Sequence, residues 1–360
     1  NKIRKTEKNI VKGWNIDSTI TGNLSEEIDI NFDGSTVQIG AEKSQLSGII
    51  TVNLSADKPK ILANVNISYL DLSLLNYIEK HNFKSKKTSS DFSIDFLDQF
   101  NADLIINFDK LKQGVLVFKN FKIITKINDG IFFLDQFIGD FYDGLIIGNG
   151  SISAKDEQPL TFNVAVKDVD INHNREGITG LTNFTANLTS NIKNGERHID
   201  NLSGDLSFRV ANGLLKMGKI QKIIGALVNS PNFSKILGKV KLPLNNEGVK
   251  FDHLNLEGKI NNGIIVFDNS YLRADTCLMN LSGLFNFPKD NAKALLKIEL
   301  GSGKIVPVKV KISGKAGDLR YSVDKLSVAG SLVSNLFDNV SDTNQNNGEF
   351  IKGVFGSILN

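Results

Sequence analysis

LDQFNADLIINFDKLKQGVLVFKNFKIITKINDGIFFLDQFIGDFYDGLIIGNGSISAKDEQPLTFNVAVKDVDIN, residues 97–172, is the stretch on which the fold turns. Ala102, Leu104, Ile106 and Phe108 share one parity, while Asp103, Asn107 and Asp109 take the other. Val115, Val117, Phe121, Ile123 and Ile127 repeat the alternation, with Asn120, Lys122 and Lys126 facing away. Successive side chains on a strand point to opposite faces, so a period of two makes a sheet that is apolar on one side and wet on the other.

The same pattern extends in both directions. Ile28, Ile30 and Phe32 alternate with Asp29, Asn31 and Asp33 until Gly34 breaks the run. Ile50, Val52 and Leu54 lead into the charged, Pro-containing turn DKPK at 57–60. Ile61, Ala63, Val65, Ile67 and Tyr69 return on one face, which reads as a hairpin. Further strands hold Phe184, Ala186 and Leu188, then Leu206, Phe208 and Val210. The cleanest alternation is Val306, Val308, Val310 and Ile312 against Pro307, Lys309, Lys311 and Ser313. Pro307 lacks an N–H, which predicts an edge or a bulge at that end.

The period changes in two places. Leu70, Leu74, Leu75 and Ile78 predict a short amphipathic helix over 70–81. Leu215, Ile220, Ile223, Ile224, Leu227 and Val228 predict a second over 214–239. The organisation read from these patterns is a weakly structured lead-in over 1–20, a continuous β body over 20–325, and an amphipathic helical tail over 326–360.

Gly130 to Gly150 and Gly263 to Gly283 have the same offset, each opening on DG or NG and continuing as strand, turn, strand; the segment at Gly48 repeats half of this. These features predict a repeated hairpin unit. Roughly sixteen to twenty strand-like runs are too many for one strongly twisted open sheet. Two packed sheets, a closed barrel and a curled trough all satisfy the pattern. The pattern alone favours a packed sandwich or barrel core; repeated hairpins and low helical content pull toward the elongated trough without deciding between them.

Composition narrows the function. The chain has 360 residues, 41% hydrophobic and 22% charged, with a net charge of +3. That charge is too small and too scattered for nucleic acid. One cysteine excludes an intrachain disulfide framework. No apolar run is long enough to span a membrane as a helix. The opening Asn1, followed by Lys2, Arg4, Lys5 and Lys8, reads as a piece of a longer protein whose targeting segment lies upstream. The 23 phenylalanines against 5 tyrosines and one tryptophan suit an apolar lining.

Catalytic signals are weak. His81, His173, His198 and His253 stand in unrelated contexts. GSGK at 301–304 lacks the remaining glycine and the Ser or Thr of a phosphate loop. DVDINHN at 168–174 opens like a calcium loop but has His173 where Gly belongs and Thr179 where Glu belongs. Asp95 with Asp98, and Asp140 with Asp143, can be drawn as acid and base, yet Asp punctuates most turns here. No catalytic residue, metal site or cofactor is assigned.

The segment FLDQFNADLIINFDKLKQGVLVFKNFKIITKINDGIFFLDQFIGDFYDGLIIGNGSI (96–152) resembles the AsmA-like family. LSGDLSFRVANGLLKMGKIQKI (202–223) is similar to the family's C-terminal region, and FDHLNLEGKINNGIIVFDNSYLRADTCLMNLSGLFNF (251–287) to the block that follows it. The resemblance implies a mainly β fold: a long, curled, mostly antiparallel repeated-hairpin sheet forming an apolar groove, with a few short α-helices. It also implies a periplasmic body anchored to the inner membrane by an upstream helix absent from this chain. The function implied is phospholipid transport toward the outer membrane, with acyl chains and envelope membranes as partners and other envelope proteins nearby. Under that reading the lipid groove is lined by Val65, Ile67, Leu104, Ile106, Phe108, Phe121, Ile123, Leu206, Phe208, Val308, Val310 and Ile312. The competing expectation is a non-enzymatic assembly factor or scaffold for outer-membrane protein biogenesis, its sheet filled by its own core.

Overall fold

The computed structural model describes residues 11–15, 17–23, 25–39, 42–72, 94–154, 159–171, 177–191, 198–216, 244–245, 248–275, 277–300, 306–315 and 318–323. Among these the chain forms nineteen strands. In order they are β1 (Val11–Asn15), β2 (Thr19–Asn23), β3 (Glu27–Ile39), β4 (Glu42–Asn53), β5 (Lys60–Asp71), β6 (Asn101–Gln113), β7 (Leu116–Asn128), β8 (Ile131–Phe141), β9 (Gly144–Ser153) and β10 (Leu160–Asp170). Then come β11 (Ile178–Ser190), β12 (Ser203–Leu215), β13 (Leu244–Asn245), β14 (Gly248–Asn261), β15 (Ile264–Ala274), β16 (Cys277–Asn286), β17 (Asn291–Leu300), β18 (Val306–Lys315) and β19 (Asp318–Val323). Two short 3-10 turns, Asp95–Asp98 and His198–Asp200, are the helical elements among the described residues.

The chain divides into two compact units, Asn1–Ala165 with Asn191–Gly195 and Val166–Ser190 with Glu196–Asn360, so the boundary falls inside β10. In the first unit β1 and β2 lie end to end along one edge of β3, and the sheet continues β3-β4-β5-β6-β7-β8-β9. All of these pairs are antiparallel except β5–β6, which is parallel. In the second unit the order is β11-β12-β14-β15-β16-β17-β18-β19, antiparallel throughout, with β13 a short hairpin arm on β14. Neither run closes into a barrel.

Turn chemistry sets these registers. Asp129-Gly130 and Asn262-Gly263 both have positive φ at their two central positions (48° and 79°, 47° and 69°), the mirror-image turn that matches strand twist. From that turn the two hairpins match pair for pair. Leu134 faces Gly150 as Phe267 faces Gly283, and after an identical bulge Phe137 faces Gly148 as Ser270 faces Leu281. The hairpin β3–β4 is a third copy, with Phe32 facing Gly48 and Ser35 facing Leu46 across the same bulge. The echo expected from sequence is thus a repeat in register, and Gly48 is its first member. Gly48 and Gly283 have φ of +127° and +149°, and a Cβ on either would strike the backbone of the adjacent strand.

Several expectations change. Gly34 does not end a strand: β3 runs through it, bending at the bulge between Phe32 and Ser35. Val115 lies in the β6–β7 turn and is largely exposed. A bulge at Asn120, whose φ is +47°, then shifts the parity so that Phe118 rather than Val117 packs with Phe121. The first residues of the two predicted helices are strand instead: Leu70–Asp71 and Leu214–Leu215 end β5 and β12. Their remainders beyond 72 and 216, the tail from 324 and residues 1–10 lie outside the described residues. The lead-in holds β1 and the first two residues of β2. Pro307 pairs with Glu299 on β17, while β19 joins β18 only from Val310, so among the described residues the proline end of β18 is paired on one side.

Candidate functional site

In the first unit the strand registers stack apolar side chains into rows across one face. Val65 pairs with Ile106, Ile106 with Ile123 and Ile123 with Phe137. One step along, Ile67 pairs with Phe108 and Phe108 with Phe121. One step back, Leu104 lies between Ala63 and Thr125. All seven residues expected here, Val65, Ile67, Leu104, Ile106, Phe108, Phe121 and Ile123, therefore share one face of one unit.

Aromatic rings run across this face at spacings of 6.5 Å (Phe108 to Phe121), 6.0 Å (Phe121 to Phe137) and 6.1 Å (Phe137 to Phe162). Phe137 and Phe162 were not read as lining from sequence. The bulge between Leu134 and Phe137 resets the parity of β8, so the run FFLDQF offers no alternation that selects Phe137. The cluster is lateral: its described members come from β5 to β10 and from Leu72, beside one another on neighbouring strands. Ile67, Leu104, Ile106 and Ile123 accordingly stay half-buried.

One end of the face is capped by the chain itself. Ile94 and Leu97, on and beside the first 3-10 turn, pack with Ala102 and Ile127. Lys58 there approaches Asp98 (4.0 Å) and Asp129 (3.7 Å). Past the parity shift Leu70, Leu72, Leu111 and Phe118 continue the apolar face, and charged side chains alternate with them. Lys110 Nζ meets Glu42 at 3.0 Å and lies 4.9 Å from the Tyr69 ring centroid, and Lys112 meets Asp71 at 3.2 Å. Burial raises the Tyr69 pKa, and the hydrogen bond to Asp71 raises that of Lys112, so both keep their protons at neutral pH. The opposite face is mostly polar, yet Ile49, Leu62, Ile105 and Ile124 line a depression of about 340 Å³ there with Asp103 and Lys126.

The second unit places its share differently. Phe208 faces Leu256, Val308 faces Ile298, Val310 faces Leu296, and Ile312 faces Ala294, in one large cluster with Leu206 packed against it. Val308 and Val310 have 0% of their surface exposed. Against those two side chains there is no space for a hydrocarbon tail.

Several of the carboxylates weighed for chemistry have structural partners. Asp98 pairs with Lys58, Asn120 donates to Asp140 at 2.6 Å, and the Asn183 amide donates to Asp168 at 3.3 Å. The Ser190 hydroxyl donates to the His198 carbonyl at 2.6 Å, and burial lowers the His198 pKa. Among the described residues no group of three His, Cys, Asp or Glu is placed to hold a metal ion. His81, His173 and GSGK fall outside the described residues. Among the described residues no helix is long and apolar enough to cross a membrane.

A family model described as the AsmA family matches residues 78–269, more than half of the chain. The chain belongs to the AsmA family. No curated protein and no solved structure matches it. The matched span of this AsmA-family chain includes β6 to β9, which carry most of the apolar rows just described.

Proposed function

We propose that this AsmA-family chain is a non-catalytic lipid-binding protein of the bacterial envelope. In this reading the periplasmic body holds phospholipid acyl chains on the apolar face of its first unit, in support of phospholipid transport to the outer membrane. The supporting observation is the contrast between the faces: Val308 and Val310 are sealed, whereas Ile67, Leu104, Ile106 and Ile123 are half-buried. Membership of the AsmA family, a family of envelope proteins, and a mainly β sheet are consistent with this role.

The energetics favour spread contacts over a specific pocket. Moving an acyl chain into water costs about 0.8 kcal/mol per CH₂, so a sixteen-carbon tail faces about 13 kcal/mol. Rows of Ile, Val, Leu and Phe remove most of that cost without recognising any one lipid. Headgroups then stay at the wet rim of the face.

The test is photocrosslinking in the intact envelope. A benzophenone amino acid replacing Ile123 is expected to capture phospholipid, while the same group replacing Lys126, on the other face, is not. Equal labelling at the two positions, or none at Ile123, overturns the proposal. A second reading, an assembly factor or scaffold for outer-membrane proteins, draws its support from the sealed core of the second unit.

A further inference from the structure

Two hairpin turns at one end of the first unit carry apolar side chains where turns ordinarily carry polar ones. Gln113 pairs with Leu116, so Gly114 and Val115 are the two central residues of the β6–β7 turn. Phe141 pairs with Gly144, which makes Tyr142 and Asp143 the centre of the β8–β9 turn. The Tyr142 hydroxyl donates to the Val115 carbonyl at 3.2 Å and ties the two turns into one tip. Val115 is 85% exposed, the highest value for a large apolar side chain among the described residues. Tyr142 sits there against its backbone preference. Its φ is +43° and that of Asp143 is +62°, the mirror-image turn that Asp129-Gly130 and Asn262-Gly263 make with better-suited residues. A bulky side chain in the left-handed region is strained, and Asn in its place would serve the hairpin better.

The apolar face of the unit runs out to this tip. Ring centroids follow one another from Phe137 to Phe121 at 6.0 Å, Phe121 to Phe118 at 5.4 Å, Phe118 to Phe141 at 4.8 Å and Phe141 to Tyr142 at 4.6 Å. Phe137 and Phe121 are buried, Phe118, Phe141 and Tyr142 are half-buried, and Val115 stands in solvent, so exposure rises toward the turns. The opposite end of the face differs. There Ile94 and Leu97 pack across it, the hairpin turn is the polar Asp129-Gly130, and Lys58 draws Asp98 and Asp129 together.

We propose that the tip formed by Val115 and Tyr142 docks on a phospholipid bilayer surface. The inference rests on the lipid-holding reading of the same face and names the end at which that face meets the membrane. A stable protein partner needs about 1,000 Å² of buried surface, far more than two turn side chains provide. A bilayer asks for less: Val115 enters the acyl boundary, and the Tyr142 ring lies at headgroup level, where amphipathic aromatics are favoured. The unbroken run of rings then gives an acyl chain apolar contact from the bilayer to the face.

The experiment is flotation of the full chain with vesicles of phosphatidylethanolamine and phosphatidylglycerol. The parent chain is expected to float with the vesicles, and Val115→Asp to weaken that association about tenfold or more. Tyr142→Asn, which suits a positive φ, is expected to weaken it while the circular-dichroism spectrum and melting temperature hold. Phe96→Asp, at an exposed ring of the opposite end, is expected to leave it unchanged. A parent chain that stays off the vesicles, a Val115→Asp variant that floats as the parent does, or equal loss from Phe96→Asp overturns the proposal. So does a concentration-dependent dimer abolished by Val115→Asp, which assigns the tip to a second copy. Phospholipid capture at Ile123 without vesicle binding overturns the docking tip and leaves the lipid-holding face standing, whereas no capture at Ile123 overturns that reading and this inference with it.

Discussion

Ser270 shows how much a single hydroxyl holds at a bulge. Its oxygen accepts from Glu257 N at 3.1 Å and donates to Glu257 O at 3.3 Å in a buried setting. Removing it leaves both backbone groups without that partner, so Ser270→Ala is expected to lower the unfolding free energy by about 1–3 kcal/mol in urea titration. Cys277 is the only thiol, and burial pushes its pKa up to about 12. It is expected to ignore a thiol reagent at pH 8 in the folded chain and to react fully in denaturant; prompt labelling of folded protein would contradict its burial. At this scale the alternation of Val65, Ile106 and Phe121 was legible because each follows two-residue periodicity on an unbroken stretch. Phe118 and Phe137 were not, because bulges at Asn120 and beyond Leu134 reset the parity through pairings that only the neighbouring strands define.

The first 3-10 turn shows an element placed by packing rather than propensity. It spans Asp95–Asp98, has no side-chain N-cap hydrogen bond, and is fixed by Ile94 and Leu97 sitting against Ala102 and Ile127. Leu97→Ala is expected to cost about 2–5 kcal/mol and to raise amide exchange first at the start of β6, measured by hydrogen–deuterium exchange. Uniform loss of protection across the chain would contradict a local capping role. The repeated hairpin was visible as equal glycine spacing, but its register was not. That register rests on Phe32, Leu134 and Phe267 facing Gly48, Gly150 and Gly283, which is a fact of pairing across strands. The glycines mark where a neighbouring backbone comes too close for a Cβ.

Across the molecule, alternation revealed that one face is apolar and left open what covers it. The same period describes Val308 and Val310, with no exposed surface, and Ile106 and Ile123, half-buried on a lateral cluster. Sequence could not separate these because periodicity records the direction of a side chain, not the depth of material above it. The division inside β10 was equally silent, since alternation carries across it unchanged. The claim that the first unit's apolar face holds acyl chains is tested most directly by native mass spectrometry of the chain purified from membranes, beside its Ile106→Asp and Ile106→Ala variants. The account predicts phospholipid mass adducts on the parent chain, retained by Ile106→Ala and lost from Ile106→Asp while the fold persists. A bare polypeptide mass for the parent chain, or adducts undiminished in a folded Ile106→Asp variant, would contradict it.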